Sequence, residues 1–214
     1  YRCGPTGSVS SQESYYNYYS TGSQKDFQYY VYNSSVALEP LYFKSGSRVS
    51  YLDLSWSGEG KKSAIELSRS PVYLDHVTIT DTGGDGVSAT STQGTHLVLN
   101  DVRVEWSARD CFNLNNVATD TLVLQSVEAW HCLRNGVDLI TRSAGENTVR
   151  RLVVVDSTFS EAGLIGGYYG TYYSASTSSS RNSIGCGFIL ELFRDTLGAK
   201  EMIFRNNVFS QNPG

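Results

Sequence analysis

A spacing of 25 residues constrains this chain more than any other feature of it. Val77, Val102 and Val127 stand 25 apart, and the same step back from Val77 lands on Leu52. Gly86-Val87, Cys111-Phe112 and Gly136-Val137 keep that interval in a second column. The lines HVTITDTGGDGV, DVRVEWSARDCF and SVEAWHCLRNGV each hold an alternating apolar segment, a polar turn and a second apolar segment. A fixed period of this size marks a repeat array, whose units bury their apolar faces only by stacking on neighbours. Function is then to be sought on stacked surface columns and in insertions, not in a cleft between lobes.

The apolar segments are too short and too β-branched for helices; Arg150 to Phe159 reads RRLVVVDSTF. Val77 and Ile79 alternate with His76 and Thr78, the period of two expected of strands with one buried face. Strands repeating without helices between them point to parallel stacking, and parallel crossovers are right-handed in nearly all cases. The expected fold class is all-β, a right-handed parallel β-helix of about 25 residues per coil. A sandwich of hairpins is the rival, with Asn-Gly or Asp-Gly turns between adjacent strands. Asp85-Gly86 and Asn135-Gly136 recur in one column, which suits a repeated bend better.

Residues 1–48 do not keep the spacing and are rich in Ser and Tyr. They are expected to form an N-terminal cap or an atypical first coil, since a terminal repeat lacks one neighbour. The β-helix is expected over 49–214, with rungs opening at Val49, Val72, Leu97, Leu122 and Leu152 and a sixth ending at Met202 to Phe209. Gly136 to Gly187 spans 51 residues, and the stretch 166–185 lacks apolar alternation, so it reads as a large insertion into one coil. Tyr168, Tyr169, Tyr172 and Tyr173 lie there among Gly and Ser. That is the chemistry of antibody loops, suited to a protein or glycan partner, although such rings also fold back over a flank. The start at YRCGP and the stop at SQNPG, just past a strand, read as those of a fragment of a longer chain.

Charged residues make up 18% of the chain and the net charge is −4, with no basic stripe, which argues against nucleic acid. No apolar run approaches the roughly 18 residues of a membrane span, so no membrane contact is expected of this segment. Asn33-Ser34-Ser35 is a glycosylation sequon, and there are 15 tyrosines and an even count of four cysteines. Together these point to an extracellular or cell-surface setting. Cys3, Cys111, Cys132 and Cys186 are disulfide candidates whose pairing stays open. Cys132 lies four residues before Gly136, the column partner of Cys111, which counts against a Cys111–Cys132 bridge. A buried free thiol is the alternative for Cys111. No CxxC pattern occurs, so no zinc site is expected, and no cofactor.

Glu66, Ser88, Asn113 and Asp138 follow the Gly-Val bend in one column. They are expected to form a solvated strand face, the default for alternation, in preference to a calcium or acid/base site. Trp56, Asp81, Trp106 and His131 share another column at the turn. Rings so placed stack on sugar faces or pack on neighbouring loops.

Arg109-Asp110-Cys111-Phe112 followed by His131 resembles the pectin-hydrolysing glycosidases of the β-helix class, whose pattern pairs Asp before Cys with a later Gly-His-Gly. Arg109 stands where the second Asp belongs, and Trp130 and Cys132 replace the glycines around His131. Asp85, one repeat from Asp110, is the only other carboxylate offered, at a spacing too short for an inverting pair. Asp85, Asp110 and His131 are thus the residues of the alternative, catalytic reading. The stretch Ser47 to Val87 carries Leu52, Leu54, Gly58, Ser63-Ala64-Ile65, Pro71, Leu74, Val77, Ile79 and Gly86-Val87 in a rhythm of its own. There it resembles the bark beetle (Anakonda) family of animal tricellular-junction proteins. That resemblance implies an extracellular, non-catalytic structural or adhesion module and transfers no catalytic residue. A polysaccharide-degrading enzyme is the alternative expectation, and a viral tailspike-like fibre a further one.

Overall fold

A computed structural model describes residues 41–43, 46–55, 57, 62–67, 71–89, 93–115, 117–140, 149–162, 187–191 and 201–212. Among them there is no helix. The strands in chain order are β1 Leu41–Phe43, β2 Ser47–Ser55, β3 Ile65–Leu67, β4 Val72–Thr82, β5 Val87–Ser88, β6 Gln93–Ser107, β7 Phe112–Asn113, β8 Ala118–Gln125, β9 Glu128–Cys132, β10 Val137–Ile140, β11 Arg151–Val155, β12 Thr158–Ser160, β13 Phe188–Glu191, β14 Glu201–Arg205 and β15 Val208–Ser210. The chain is all-β and its described strand pairs are parallel, so the hairpin sandwich is excluded.

Strands β1, β3, β5, β7, β10 and β13 lie side by side in a six-stranded sheet, and the others form a nine-stranded one. Each repeat therefore gives one strand to the first sheet and a longer, bent stretch to the second. Leu52 pairs with Val77 and Val77 with Val102, so the 25-residue spacing is a hydrogen-bonded register. The register widens to 30 where Leu152 meets Leu122, and to 50 where Met202 meets Leu152. Val137 pairs directly with Phe188, so the 51 residues between Gly136 and Gly187 amount to one repeat with an insertion. Pairing begins earlier than the boundary at 49: Leu41 is already in register with Ile65, and Ser47 with Val72.

Inward residues stack in columns. Val72, Leu97, Leu122 and Leu152 form one, and Leu74, Leu99, Leu124 and Val154 the next; all are fully buried. Ile79, Val104, Ala129 and Phe159 form another. Burying an aliphatic side chain stabilises by about 1.5–3 kcal/mol, so these columns supply the main cohesion of the stack. Each column reaches residues on β14 and β15 that are half exposed, among them Met202, Phe204 and Phe209.

Two further columns bend the second sheet. Tyr51, His76, Asp101, Ser126, Asp156 and Asn206 all have φ between 51° and 58°, and Asp81, Trp106, His131, Glu161 and Gln211 between 50° and 60°. This left-handed conformation is uncommon outside glycine, so its repetition in register marks a bend built into every repeat. Its effect is readable in β4. Leu74 and Val77 are buried, while Asp75 and His76 between them both face outward; Thr80 and Asp81 do the same between Ile79 and Thr82. The bend inserts one residue into the alternation, as a bulge does, and leaves two adjacent side chains outside.

Candidate functional site

Asp85 and Asp110 lie inside the stack. They are 2% and 0% exposed. Asp85 Oδ1 accepts the backbone N–H of Asp110 at 3.1 Å, and Asp110 Oδ1 accepts that of Asn135 at the same distance. Asn135 Nδ2 also donates to Asp110 Oδ1 at 2.8 Å, and Asn113 Nδ2 to Asp85 Oδ2 at 3.0 Å. The guanidinium of Arg109 stands 3.6 Å from Asp85, and that of Arg134 3.3 Å from Asp110. Each acid thus ties the turn of its own repeat to the next. Burial, and then the charge of Asp110, push the Asp85 carboxyl above its usual range, against Arg109, Asn113 and Arg134. Asp85 and Asp110 are thus engaged in bonds between repeats, while the contacts of His131, the third residue of the catalytic alternative, are with other side chains, Trp106 and Glu161 among them.

The polar column after the Gly-Val bend also departs from expectation. Asn113 and Asp138 are 9% and 4% exposed and are not a solvated face, whereas Glu66 and Ser88 are half-buried. Asn113 is drawn in by Asp85, and Asn115 Nδ2 bridges Asp138 Oδ2 at 3.1 Å and Asn113 Oδ1 at 2.9 Å. Amide and carboxylate partners from the same and neighbouring repeats bond Asn113 and Asp138 Oδ2, which lets alternation bury them.

Cys111 and Cys132 are joined by a disulfide, with Cα atoms 5.5 Å apart. The offset of four residues misleads because the intervening turn folds back on itself. Its counterpart one repeat earlier shows how: the Ser107 hydroxyl lies 2.8 Å from the carbonyl of Asp110 and 2.8 Å from that of Gly84. Thr82 closes the turn before that by donating to Asp85 O at 3.3 Å. Cys132 follows Thr82 and Ser107 in register, and its sulfur reaches Cys111. Cys111 in turn stands in a column where Gly86 and Gly136 have no room for a side chain. A disulfide fits an oxidising, extracellular setting.

Charged and aromatic side chains converge at one bend column. The rings of Trp106 and His131 are stacked, with centroids 3.9 Å apart and planes at 5°. His131 Nε2 is 2.7 Å from Glu161 Oε2. Glu105 lies 3.7 Å from Nδ1 on the other side. Trp130 is tilted against His131 at 5.8 Å, and the Arg103 guanidinium covers the Trp130 ring at 5.3 Å. Arg103 also bonds Glu105 at 3.1 Å and lies 3.7 Å from Glu128. The bend explains the crowding, because Glu105-Trp106 and Trp130-His131 are outward doublets one repeat apart. A smaller cluster marks the other bend column. Tyr51 stacks on His76 at 4.8 Å, and His76 lies 3.1 Å from Asp75 and 3.4 Å from Asp101.

The sequence reading placed Trp106, His131 and Asp81 in one column correctly but missed Glu105, Trp130 and Glu161. Strict alternation would bury one member of each doublet, and Glu161 follows His131 by 30 residues rather than 25. Trp56, Asn33, Cys3, Cys186, Tyr168, Tyr169, Tyr172 and Tyr173 lie outside the described residues. Among the described residues, no group of three or more His, Cys, Asp or Glu is arranged to hold a metal ion. Compared with family models, curated proteins and solved structures, the chain matches none.

Proposed function

We propose that the stacked repeats wind into a right-handed parallel β-helix serving an extracellular protein as a non-catalytic structural or adhesion module. It holds its partner, protein or glycan, on the outer flank. The observation that carries this reading is the division of labour among the acids. Asp85 and Asp110, the acids a hydrolase of this class would need, are spent on bonds between repeats. The half-buried aromatic and charged groups collect instead at the bends. The parallel register, the disulfide and the resemblance of Ser47 to Val87 to the bark beetle family support the same reading.

The test has two arms. The secreted module, fluorescently labelled, is titrated onto animal cell surfaces, where saturable attachment is expected. Pectin, alginate and hyaluronan are incubated with it and assayed for new reducing or unsaturated ends, and none are expected. Turnover abolished by Asp110→Asn in a folded protein would overturn the non-catalytic reading.

A further inference from the structure

The rung that carries β14 presents a self-complementary edge. We propose that β14 pairs antiparallel with β14 of a second copy of this chain, about a two-fold axis through Ile203, joining two stacks end to end. Among the described residues β14 pairs only with β11, at one end of the nine-stranded sheet. The Glu201 N–H donates to the Arg150 carbonyl, and the Arg205 carbonyl accepts the Asp156 N–H. Residues facing one neighbour alternate along a strand, so Glu201, Ile203 and Arg205 direct their backbone groups to β11. Those of Met202 and Phe204 point to the open side. The inward side chains of this rung are apolar yet half exposed: Met202, Phe204 and Phe209 continue the buried columns. Phe188 meets Phe204 at 5.8 Å and Phe209 at 6.4 Å, edge to face, which holds the rings in place. Open backbone groups beside exposed apolar side chains make an edge a template for another strand.

The sequence of β14, Glu201-Met202-Ile203-Phe204-Arg205, selects the occupant. Laid against itself with Ile203 at the centre, it sets Met202 opposite Phe204 of the second copy, and Phe204 opposite Met202. These are the residues whose backbone groups face the open side. Opposed residues of that kind exchange both N–H···O bonds in an antiparallel ladder, so the register uses all of them. On the inward face Met202 meets Phe204, and the apolar columns of the two stacks abut. On the outward face Ile203 meets itself and Glu201 meets Arg205 on both sides of the axis, an opposite-charge pair at each end. Glu201 already lies 2.9 Å from Arg151, in a pair half exposed on both sides. A carboxylate has about four lone-pair sites and accepts a second guanidinium beside the first. A head-to-tail contact, with β2 of a second copy continuing the columns in parallel, fits less well. It sets Ser47 on Met202, Gly46 against Glu201 and Ser50 against Arg205, and neither charge is answered. Such a contact does not close, whereas the two-fold one does.

The test is sedimentation velocity of the 214-residue chain over a range of concentrations. A reversible monomer–dimer equilibrium is expected, with a Kd at or below about 0.1 mM. Arg205→Glu and Glu201→Arg each set like charges opposite one another at both ends, and each is expected to weaken the dimer about tenfold or more. Mixing the two variants is expected to restore it, because each then supplies the charge that the other lacks. Ile203 faces itself at a non-hydrogen-bonded position, where Cα atoms lie about 4.5 Å apart, within disulfide range. Mild oxidation of Ile203→Cys is expected to give a covalent dimer that peptide mapping shows to be linked through position 203. Val153→Cys, one repeat further in, is expected to give none through position 153. Circular dichroism confirms that each variant folds. A monomer at every concentration up to about 0.1 mM overturns the proposal. So do oligomers larger than two, mixed variants that pair no better than either alone, or equal cross-linking through positions 153 and 203. The pairing goes beyond the module reading and does not depend on it: cell attachment by a strictly monomeric chain removes the dimer and leaves that reading standing.

Discussion

Replacing Asp110 by alanine removes the acceptor of the Asn135 N–H at 3.1 Å and of its Nδ2 at 2.8 Å, and with them the ion-pair partner of the Arg134 guanidinium at 3.3 Å. Asp110 is wholly buried, so water does not replace it freely. Each orphaned buried donor costs about 1–3 kcal/mol, and stripping one partner from a buried charged pair about 3–5 kcal/mol. These costs overlap, and about 3–5 kcal/mol is expected for Asp110→Ala. Asp110→Asn keeps Oδ1 and both bonds from Asn135. It loses the charged contact with Arg134 but also relieves Asp85 of a like charge, and about 1–2 kcal/mol is expected. Asn135 already occupies the next position of this ladder as an amide. Urea unfolding followed by tryptophan fluorescence reads the difference. At a slope of about 3 kcal/mol per molar, the midpoint falls by about 1 M or more for alanine and by about half that or less for asparagine. Equal midpoints for the two variants, or an alanine variant within about 1 kcal/mol of wild type, refute the ladder as the reason this acid is buried.

Removing the disulfide by Cys111→Ser with Cys132→Ser is expected to cost about 3 kcal/mol from the loop it closes, measured by the same titration with and without reductant. Gly86→Ala puts a Cβ against the Val104 side chain and 2.7 Å from the Cys111 carbonyl, and Gly136→Ala puts one against the Gly187 carbonyl; each is expected to lose about 1–3 kcal/mol in thermal melts. For Asp85, the folded carboxyl binds its proton more tightly than the unfolded one. Its contribution to stability therefore rises as pH falls through the raised value, levels off near the ordinary aspartate value of about 4, and is lost as pH climbs. Stability of wild type relative to Asp85→Asn, measured across acid pH, should increase on acidification; the opposite slope contradicts the assigned shift.

The repeat was legible because its columns are chemically uniform: Val77, Val102 and Val127 are the same residue in the same environment. Register and strand direction followed from that. The bends were not legible, since a left-handed residue has no side-chain signature when it is Tyr51, Trp106 and His131 as readily as Asp101. Polar burial was hidden for a related reason. Asn113 and Asp138 look like surface residues until their partners from adjacent repeats are in place. The disulfide was obscured by counting along the chain across a turn that Ser107 and Thr82 show to be closed.

The bends separate backbone conformation from side-chain identity. Tyr, His, Asp, Ser, Asn, Trp, Glu and Gln all occupy the two bend columns with φ between 50° and 60°. The residue there is held in place by the register on either side of it, while its side chain points away from the core. Mutation can therefore rewrite the outer surface two positions at a time, repeat by repeat, without disturbing the columns that keep the chain folded. A protein built this way can drift toward new partners along a path on which folding imposes few vetoes.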